Sequence, residues 1–455
     1  MDIALSQTAY ISEKILLIAV ALDLALGGNG YLITIGSFRV REILFAICVP
    51  WAVLRFTVLD PVKIDRKIMT FAIAFIAITA LDALLGYLRG NSPNDIIGEI
   101  KPLAYFPMLL FFAVAIRSIA HVTMIARILI GCGIIMSVAY LLVLLAAFTG
   151  VVSYLAVFDA LGSIDEFIFR QAVDRQLVFV GFFYKGFFYV AIAMLFMIFG
   201  RFKYGRPVAT ICGIALAMTL TRSLFVGFAC AALVGLLLQW NWRRSIVPIG
   251  QLVVMAAIIL LAVQAETNLN LKEFAALGVI RGPADLKKYA APISPAGDAT
   301  TTSSQGDAAP APSAPPPTAA IFEARPTDNE RLRDVKFVLQ NTNVVSLLVG
   351  NGLGAQVRGR DRVELNYLEV LFKQGLVGLG FWLLLLGYVT RLYFASAPGL
   401  KYLAAPFLLS VIFVYVATAF NTVLTGSIGM GAVFISIASL DAISRFHPAA
   451  RVVPN

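Results

Sequence analysis

The sequence predicts an all-α polytopic membrane protein of about twelve transmembrane helices, with one large late outer loop holding surface helices and a disordered Pro/Ala-rich linker. Three observations lead there. Hydrophobic residues make up 60% of the 455-residue chain, and the mean hydropathy is +0.86. Apolar runs long enough to cross a hydrocarbon core of about 30 Å recur from end to end. Lys and Arg gather in alternate connections between those runs.

Taken in order, the apolar runs place helices near 14–36, 41–58, 68–88, 102–118, 125–149, 177–200, 207–222, 223–241, 245–264, 365–390, 402–421 and 424–443. The organisation is then residues 1–264 with helices one to nine, a loop over 265–364, and residues 365–455 with the last three helices. The connections carrying Lys63, Arg66 and Lys67; Arg117 and Arg127; Arg201, Lys203 and Arg206; Arg243 and Arg244; Arg391 and Lys401; and Arg445 and Arg451 fall on one side. The positive-inside rule makes that side, and both termini, cytoplasmic. Arg39 and Arg41 are the exception, since they fall outside. The first helix also carries Asp23 and a Gly-Gly-Asn-Gly break at residues 27–30, which marks it as broken or re-entrant.

The formal charge of +10 follows from topology and suits anionic lipid. Nucleic-acid binding is disfavoured, because the basic residues are scattered between helices. The four cysteines, Cys48, Cys132, Cys212 and Cys230, lie in apolar runs without C-x-x-C spacing, so neither a disulfide framework nor a zinc site is indicated. No cleavable signal peptide is evident in residues 1–14, which include Asp2 and Glu13. Both histidines, His121 and His447, fall in basic cytoplasmic connections. No metal-ligand cluster faces outward, and no cofactor is called for. Asp82, near the outer end of the third helix, faces the bundle interior and is expected to pair with a nearby Arg or Lys.

Three outer loops, 89–101, 151–176 and 266–363, hold the remaining polar material. Residues 291–317, rich in Pro, Ala, Ser and Thr, cannot build a core and form the flexible linker. Residues 329–348 then resume a helical pattern, with Leu332, Val335 and Leu339 on one stripe and Arg331, Asp334 and Lys336 elsewhere, as in a helix lying on a membrane surface. Its basic residues fit either lipid head groups or a substrate. Arg170 and Arg175 each precede a glycine, Gly181 or Gly186, by eleven positions, and Lys185 stands inside an apolar run. An intramembrane Lys must snorkel, pair or line a wet cavity. Thr221-Arg222-Ser223 joins two helices with almost no loop and sets Arg222 at the outer boundary, a place that suits an interfacial anchor or a functional cation.

The densest pattern is in residues 348–386. Gly350, Gly352 and Gly354 lead into Arg358, Arg360 and Arg362, and Glu364 stands at the mouth of an apolar helix. Glu364, Tyr367, Leu371, Gly375 and Gly378 share a helical stripe about three turns long. The two glycines are expected to admit a neighbouring helix.

These residues resemble the O-antigen ligase and Wzy-type polysaccharide polymerase superfamily of bacterial inner membranes. The resemblance covers the overall layout and is sharpest in residues 350–378: GNGLG, then Glu364-Leu365-Asn366-Tyr367-Leu368-Glu369, then Gly375-Leu376-Val377-Gly378. The family pattern has G-x-G, then His-Asn-x-Tyr-Leu-Glu, then Gly-Leu-Ile-Gly. This chain departs from it where the family has the histidine proposed to activate the acceptor, since Glu364 stands there, followed by Leu365. The resemblance implies a metal-independent glycosyltransferase in the inner membrane, its active site facing the periplasm and the 265–364 loop periplasmic. The implied donor is an undecaprenyl-diphosphate-linked glycan. Other implied partners are membrane lipids, a chain-length regulator and the flippase of the same pathway.

Arginine suits a departing diphosphate because its fork of donors matches phosphate oxygens and its charge persists. A carboxylate suits proton removal from an acceptor hydroxyl. On this reading Arg222 holds the diphosphate, aided by Arg175, Arg170, Lys185 and Arg331. Glu364 is the base, and Asn366 and Tyr367 orient sugar or carboxylate. Polymerisation of lipid-linked repeats is the first expectation. Ligation of the glycan to lipid A core and polysaccharide export are the alternatives; against export, no internal repeat with paired broken helices is visible.

Overall fold

The computed structural model describes residues 2–28, 34–35, 38–59, 64–152, 156–157, 167–171, 179–200, 202, 205–219, 221–238, 246, 249–250, 253–254, 257, 278–280, 326–360 and 362–446. The protein is mostly helical. Six stretches among the described residues are long and apolar enough to cross a membrane: Arg66–Leu88, Pro93–Ala115, Ile119–Ala147, Asn366–Ala395, Pro398–Thr418 and Ser427–Arg445. Three shorter apolar helices, Phe187–Phe199, Pro207–Met218 and Ser223–Leu238, accompany them. The protein is therefore a membrane-embedded helical bundle.

The helices are α1 (Asp2–Leu26), α2 (Val40–Leu54), α3 (Arg66–Leu88), α4 (Pro93–Leu103), α5 (Met108–Ala115), α6 (Ile119–Phe148), α7 (Phe187–Phe199), α8 (Gly205–Met218), α9 (Arg222–Leu238), α10 (Pro326–Gln340), α11 (Val344–Val349), α12 (Asn366–Ala395), α13 (Lys401–Thr418) and α14 (Ser427–Arg445). Local chemistry sets several starts. Asp65 accepts from the Lys67 amide before α3, Pro93 opens α4, and the Ser118 hydroxyl accepts from the His121 amide before α6.

Two small antiparallel sheets depart from an all-α fold. Strands β1 (Thr34–Ile35) and β2 (Phe38–Arg39) form one; β3 (Phe167–Gln171), β4 (Phe179–Tyr184) and β5 (Gly278–Ile280) form the other, in the order β4-β3-β5. The run expected to be one helix over 177–200 is thus a strand followed by α7, and Lys185 sits in the turn between them. Phe, Val and Tyr favour a pleated surface as readily as a helix, so their hydrophobicity alone did not separate the two. The outer loop expected at 89–101 is largely α4, which turns at residues 104–107 into α5.

Burial grades the helices. The best 18-residue window of α14 is 89% buried and that of α3 only 22%, so α14 is central and α3 peripheral. An aromatic hub joins them: the Phe75 and Phe106 rings stack with centroids 3.9 Å apart, and Phe106 also meets Phe381, Trp382 and Phe434.

Buried ion pairs lie toward the two ends of the bundle. Glu13 of α1 meets Arg55 after α2 at 2.6 Å and Arg117 before α6 at 3.0 Å. Asp23 of α1 meets Arg41 of α2 at 2.8 Å, and Arg41 also donates to the Gly28 carbonyl and the Ser427 hydroxyl. Of the two exceptions to the charge rule this accounts for Arg41, which is neutralised inside the bundle; Arg39 lies partly exposed beside Glu42. The Tyr388 hydroxyl near the end of α12 reaches Asp65 at the start of α3, so the basic ends bearing Arg66 and Arg391 lie together. The opposite end gathers the close of α3 and the starts of α12 and α14.

Candidate functional site

The site forms where a glycine loop meets a broken helix. After α11 the chain runs Gly350-Asn351-Gly352-Leu353-Gly354, with φ of 76, 82 and 78 at the three glycines, a region that L side chains rarely enter. Space demands glycine as well: a Cβ would lie 2.0 Å from the Lys373 carbonyl at Gly350 and 2.2 Å from the Gly86 amide at Gly352. Helix α12 is interrupted at Gly375, with φ 65 and ψ −162. In an unbroken helix the Phe372 and Lys373 carbonyls accept from amides four residues on. Here the Asn351 amide donates to Phe372 at 2.8 Å and the Gly352 amide to Lys373 at 2.9 Å, so the loop caps the first half of α12.

The shared stripe expected from Glu364 to Gly378 is therefore cut. Glu364 precedes α12. What approaches Gly375 is the backbone of Leu348, at the end of α11, and of Gly350, so a neighbouring helix is admitted at that glycine as expected, whereas Gly378 faces Gln374 of its own helix. The cue was present in the sequence, since two glycine-rich segments separated by a short span can satisfy one another.

The other side of the loop is held by α3 and α4. The Leu353 amide donates to the Asp82 carbonyl, Arg89 donates to the Gly350 carbonyl and the Asn351 side-chain oxygen, and the Gly354 amide donates to Glu99 Oε2 at 2.9 Å. The Asp82 carboxyl is buried facing the Gln374 amide, and no ion pair reaches it among the described residues. That corrects its expected pairing with Arg or Lys. The C-terminal end of α3 is occupied by the glycine loop, which supplies backbone rather than a cation.

Beneath the loop lies a cavity of about 50 Å³, lined by Glu99, Pro102, Leu103, Leu353, Arg362, Asn366, Glu369, Val370, Lys373, Gln374, Thr422, Thr425 and Gly426. Its floor is an ion triad in which Lys373 Nζ lies 2.7 Å from Glu99 Oε1 and 2.8 Å from Glu369 Oε1. Two carboxylates and one ammonium leave one formal negative charge, and the exposed Arg362 lines the same cavity. Asn366 is fully buried; its Nδ2 donates to the Thr425 hydroxyl at 2.9 Å, while its Oδ1 has no hydrogen-bond partner among the described residues. Polar groups thus line a concave wall whose enclosed part has room for about one or two waters, so a larger polyhydroxylated ligand would rest at the open mouth beside Arg362.

The structure distributes the sequence-derived site residues unevenly. Asn366 lines the cavity. Glu364 stands beside it, ion-paired to Arg331 at 2.8 Å, so two residues expected to act separately meet each other. Tyr367 is turned away, its hydroxyl donating to the Tyr415 carbonyl of α13 at 2.6 Å. Arg222 begins α9; its neighbour Ser223 accepts from Asn421 Nδ2 at 2.5 Å, in the same connection that carries Thr422 and Thr425 to the cavity. Arg170 pairs in register with Gly181, so the eleven-residue spacing marks a hairpin partner. Lys185 is half-buried ahead of α7. Arg175, the 291–317 linker, His447 and most of the 245–264 run lie outside the described residues.

Lys373 and Glu99 were not singled out from sequence, and Glu369 entered only as the last residue of the family-like segment, with no role assigned. The signal for Lys373 was available, because a Lys inside an apolar helix requires partners. Glu99 was hidden by being assigned to a loop.

No protein-family model, curated protein or solved structure matches the chain.

Proposed function

We propose that this protein is a membrane glycosyltransferase that polymerises polyprenyl-diphosphate-linked oligosaccharide repeats at the outer face of a bacterial inner membrane, with about twelve spans and a periplasmic 265–364 loop. The observation carrying this reading is the polar cavity under the Gly350–Gly354 backbone, with Arg362 at its mouth and Asn366 in its wall. Arg362 and Arg222 bind the donor diphosphate. Asn366, Thr422 and Thr425 take sugar hydroxyls. Glu364, oriented by Arg331, removes the proton from the acceptor hydroxyl. The acceptor oxygen bonds to the donor's anomeric carbon as the bond from that carbon to the phosphate oxygen breaks. The lipid diphosphate departs with the electron pair, and the proton goes to Glu364. No redox partner is needed.

The test is a gel assay of purified protein in proteoliposomes supplied with an undecaprenyl-diphosphate oligosaccharide repeat. A ladder of lipid-linked chains supports the polymerase. Product only when lipid A core is added supports a ligase instead. One observation favours a third reading, a polysaccharide exporter: α12 is interrupted at Gly375 within its membrane-spanning length, as substrate-binding helices of transporters often are. Glycan movement across the vesicle membrane without a new covalent product would select that reading.

A further inference from the structure

The pair α10–α11 divides its two faces cleanly. Inward, Asp334 is 2% exposed and pairs with Arg358 at 3.4 Å and more closely with Arg360, while Val338 packs with Val357, Val363 and Phe372. Outward, Leu332 is 68% exposed, Leu339 70%, Val344 76% and Val345 61%. At 3.6 residues per turn Lys336 falls beside Leu332 and Leu339 on one side of α10 rather than apart from them as expected, and it is exposed there.

An apolar face this size in water favours association, and the neighbouring surface identifies what covers it. The Gly350 carbonyl after α11 accepts from Arg89 at the end of α3, whose last turns expose Leu84, Tyr87 and Leu88. Helix α3 is a candidate membrane span that is largely unburied within the protein, so its apolar exterior belongs against lipid. The end of α11 thus adjoins a lipid-facing surface at the close of that span, and the exposed Lys336 on the apolar side of α10 suits snorkelling toward head groups.

We propose that α10 and α11 form an interfacial pair embedded in the outer edge of the phospholipid bilayer, and that this docking sets the depth of the cavity mouth. Mechanically the link is short. Asp334 clamps the tight turn formed by Val357 and Arg360, in which Arg358 takes a φ of 54, uncommon for a residue with a side chain. Arg362 and Glu364 follow that turn, and Glu364 returns to α10 through Arg331. The inference is independent of the reaction proposed above.

The test uses the full chain in phosphatidylcholine/phosphatidylglycerol nanodiscs, with an environment-sensitive fluorophore on Leu339→Cys, Val345→Cys or Glu330→Cys and wild type as the labelling blank. Glu330 lies across α10 from Leu339. Lipids spin-labelled near the head group are expected to quench positions 339 and 345 at least about twofold more than position 330, as for a helix lying in the interface. Equal quenching at all three positions, or none at any, overturns the proposal. Since all three sites are exposed, folding is checked by size-exclusion profile alone.

Discussion

At the scale of single residues, the site depends on Lys373 joining two carboxylates at 2.7 and 2.8 Å inside a helical bundle. Removing one partner of a buried ion cluster leaves charge unpaired and typically costs about 3–5 kcal/mol. Lys373→Ala is therefore expected to lower the thermal midpoint strongly, read by a fluorescence unfolding scan in detergent. Lys373→Ala combined with Glu369→Gln should recover part of that loss, and no recovery would show that the triad is not the source. Glu364 sits differently, about a third exposed in its pair with Arg331. Glu364→Gln keeps its size but takes no proton, so chain growth should fall by about 10²–10⁴-fold with an unchanged midpoint. Activity near wild type in that variant would remove the base assignment.

At the scale of elements, the central device is the mutual completion of α12 and the glycine loop. The break at Gly375 frees the Phe372 and Lys373 carbonyls, and the loop supplies amides to both. Gly352→Ala places a Cβ 2.2 Å from the Gly86 amide at a φ of 82. The combined clash and backbone strain should destabilise by at least about 1–3 kcal/mol. Hydrogen exchange should quicken in the start of α12 and the end of α3 together; a change confined to the loop would argue against this coupling. The glycines were legible as a motif. Their geometry was not legible, because hydropathy sees an apolar run through Gly375 and takes it as one helix. The α4 segment was lost for the opposite reason: Pro93, Asp95, Glu99 and Lys101 read as a polar loop, whereas Pro at the first helical position and an acid in the first turn are also start signals.

At the scale of the molecule, buried pairs tie the helices where the sequence showed isolated charges. Asp23 and Arg41 fasten α1 to α2 and, through Ser427, to the start of α14. Asp23→Asn removes the charge opposite a 7% exposed Arg41 and is expected to cost about 3–5 kcal/mol, seen as reduced yield of monodisperse protein. Wild-type yield and midpoint would show that the pair contributes nothing. The membrane class was readable from composition because lipid demands long apolar helices. The small sheets were not, since strands β3 and β5 pair across more than a hundred residues of sequence and their register has no local signature. Of the two cations that broke the charge alternation, Arg41 has an internal partner in Asp23, while Arg39 stays partly exposed beside Glu42.

If the cavity mouth holds a lipid diphosphate for glycan transfer, Arg362 must carry part of that grip. The direct measurement is the rate of chain growth in proteoliposomes for wild type beside Arg362→Ala, with donor at saturating and limiting concentrations. Arg362 is exposed, so the fold should persist with an unchanged thermal midpoint. Loss of a charge-assisted diphosphate contact of about 1.5–3 kcal/mol lowers kcat/KM by about 10- to 100-fold. Ladders growing at the wild-type rate at both donor concentrations would contradict the assignment of this cavity as the reaction site.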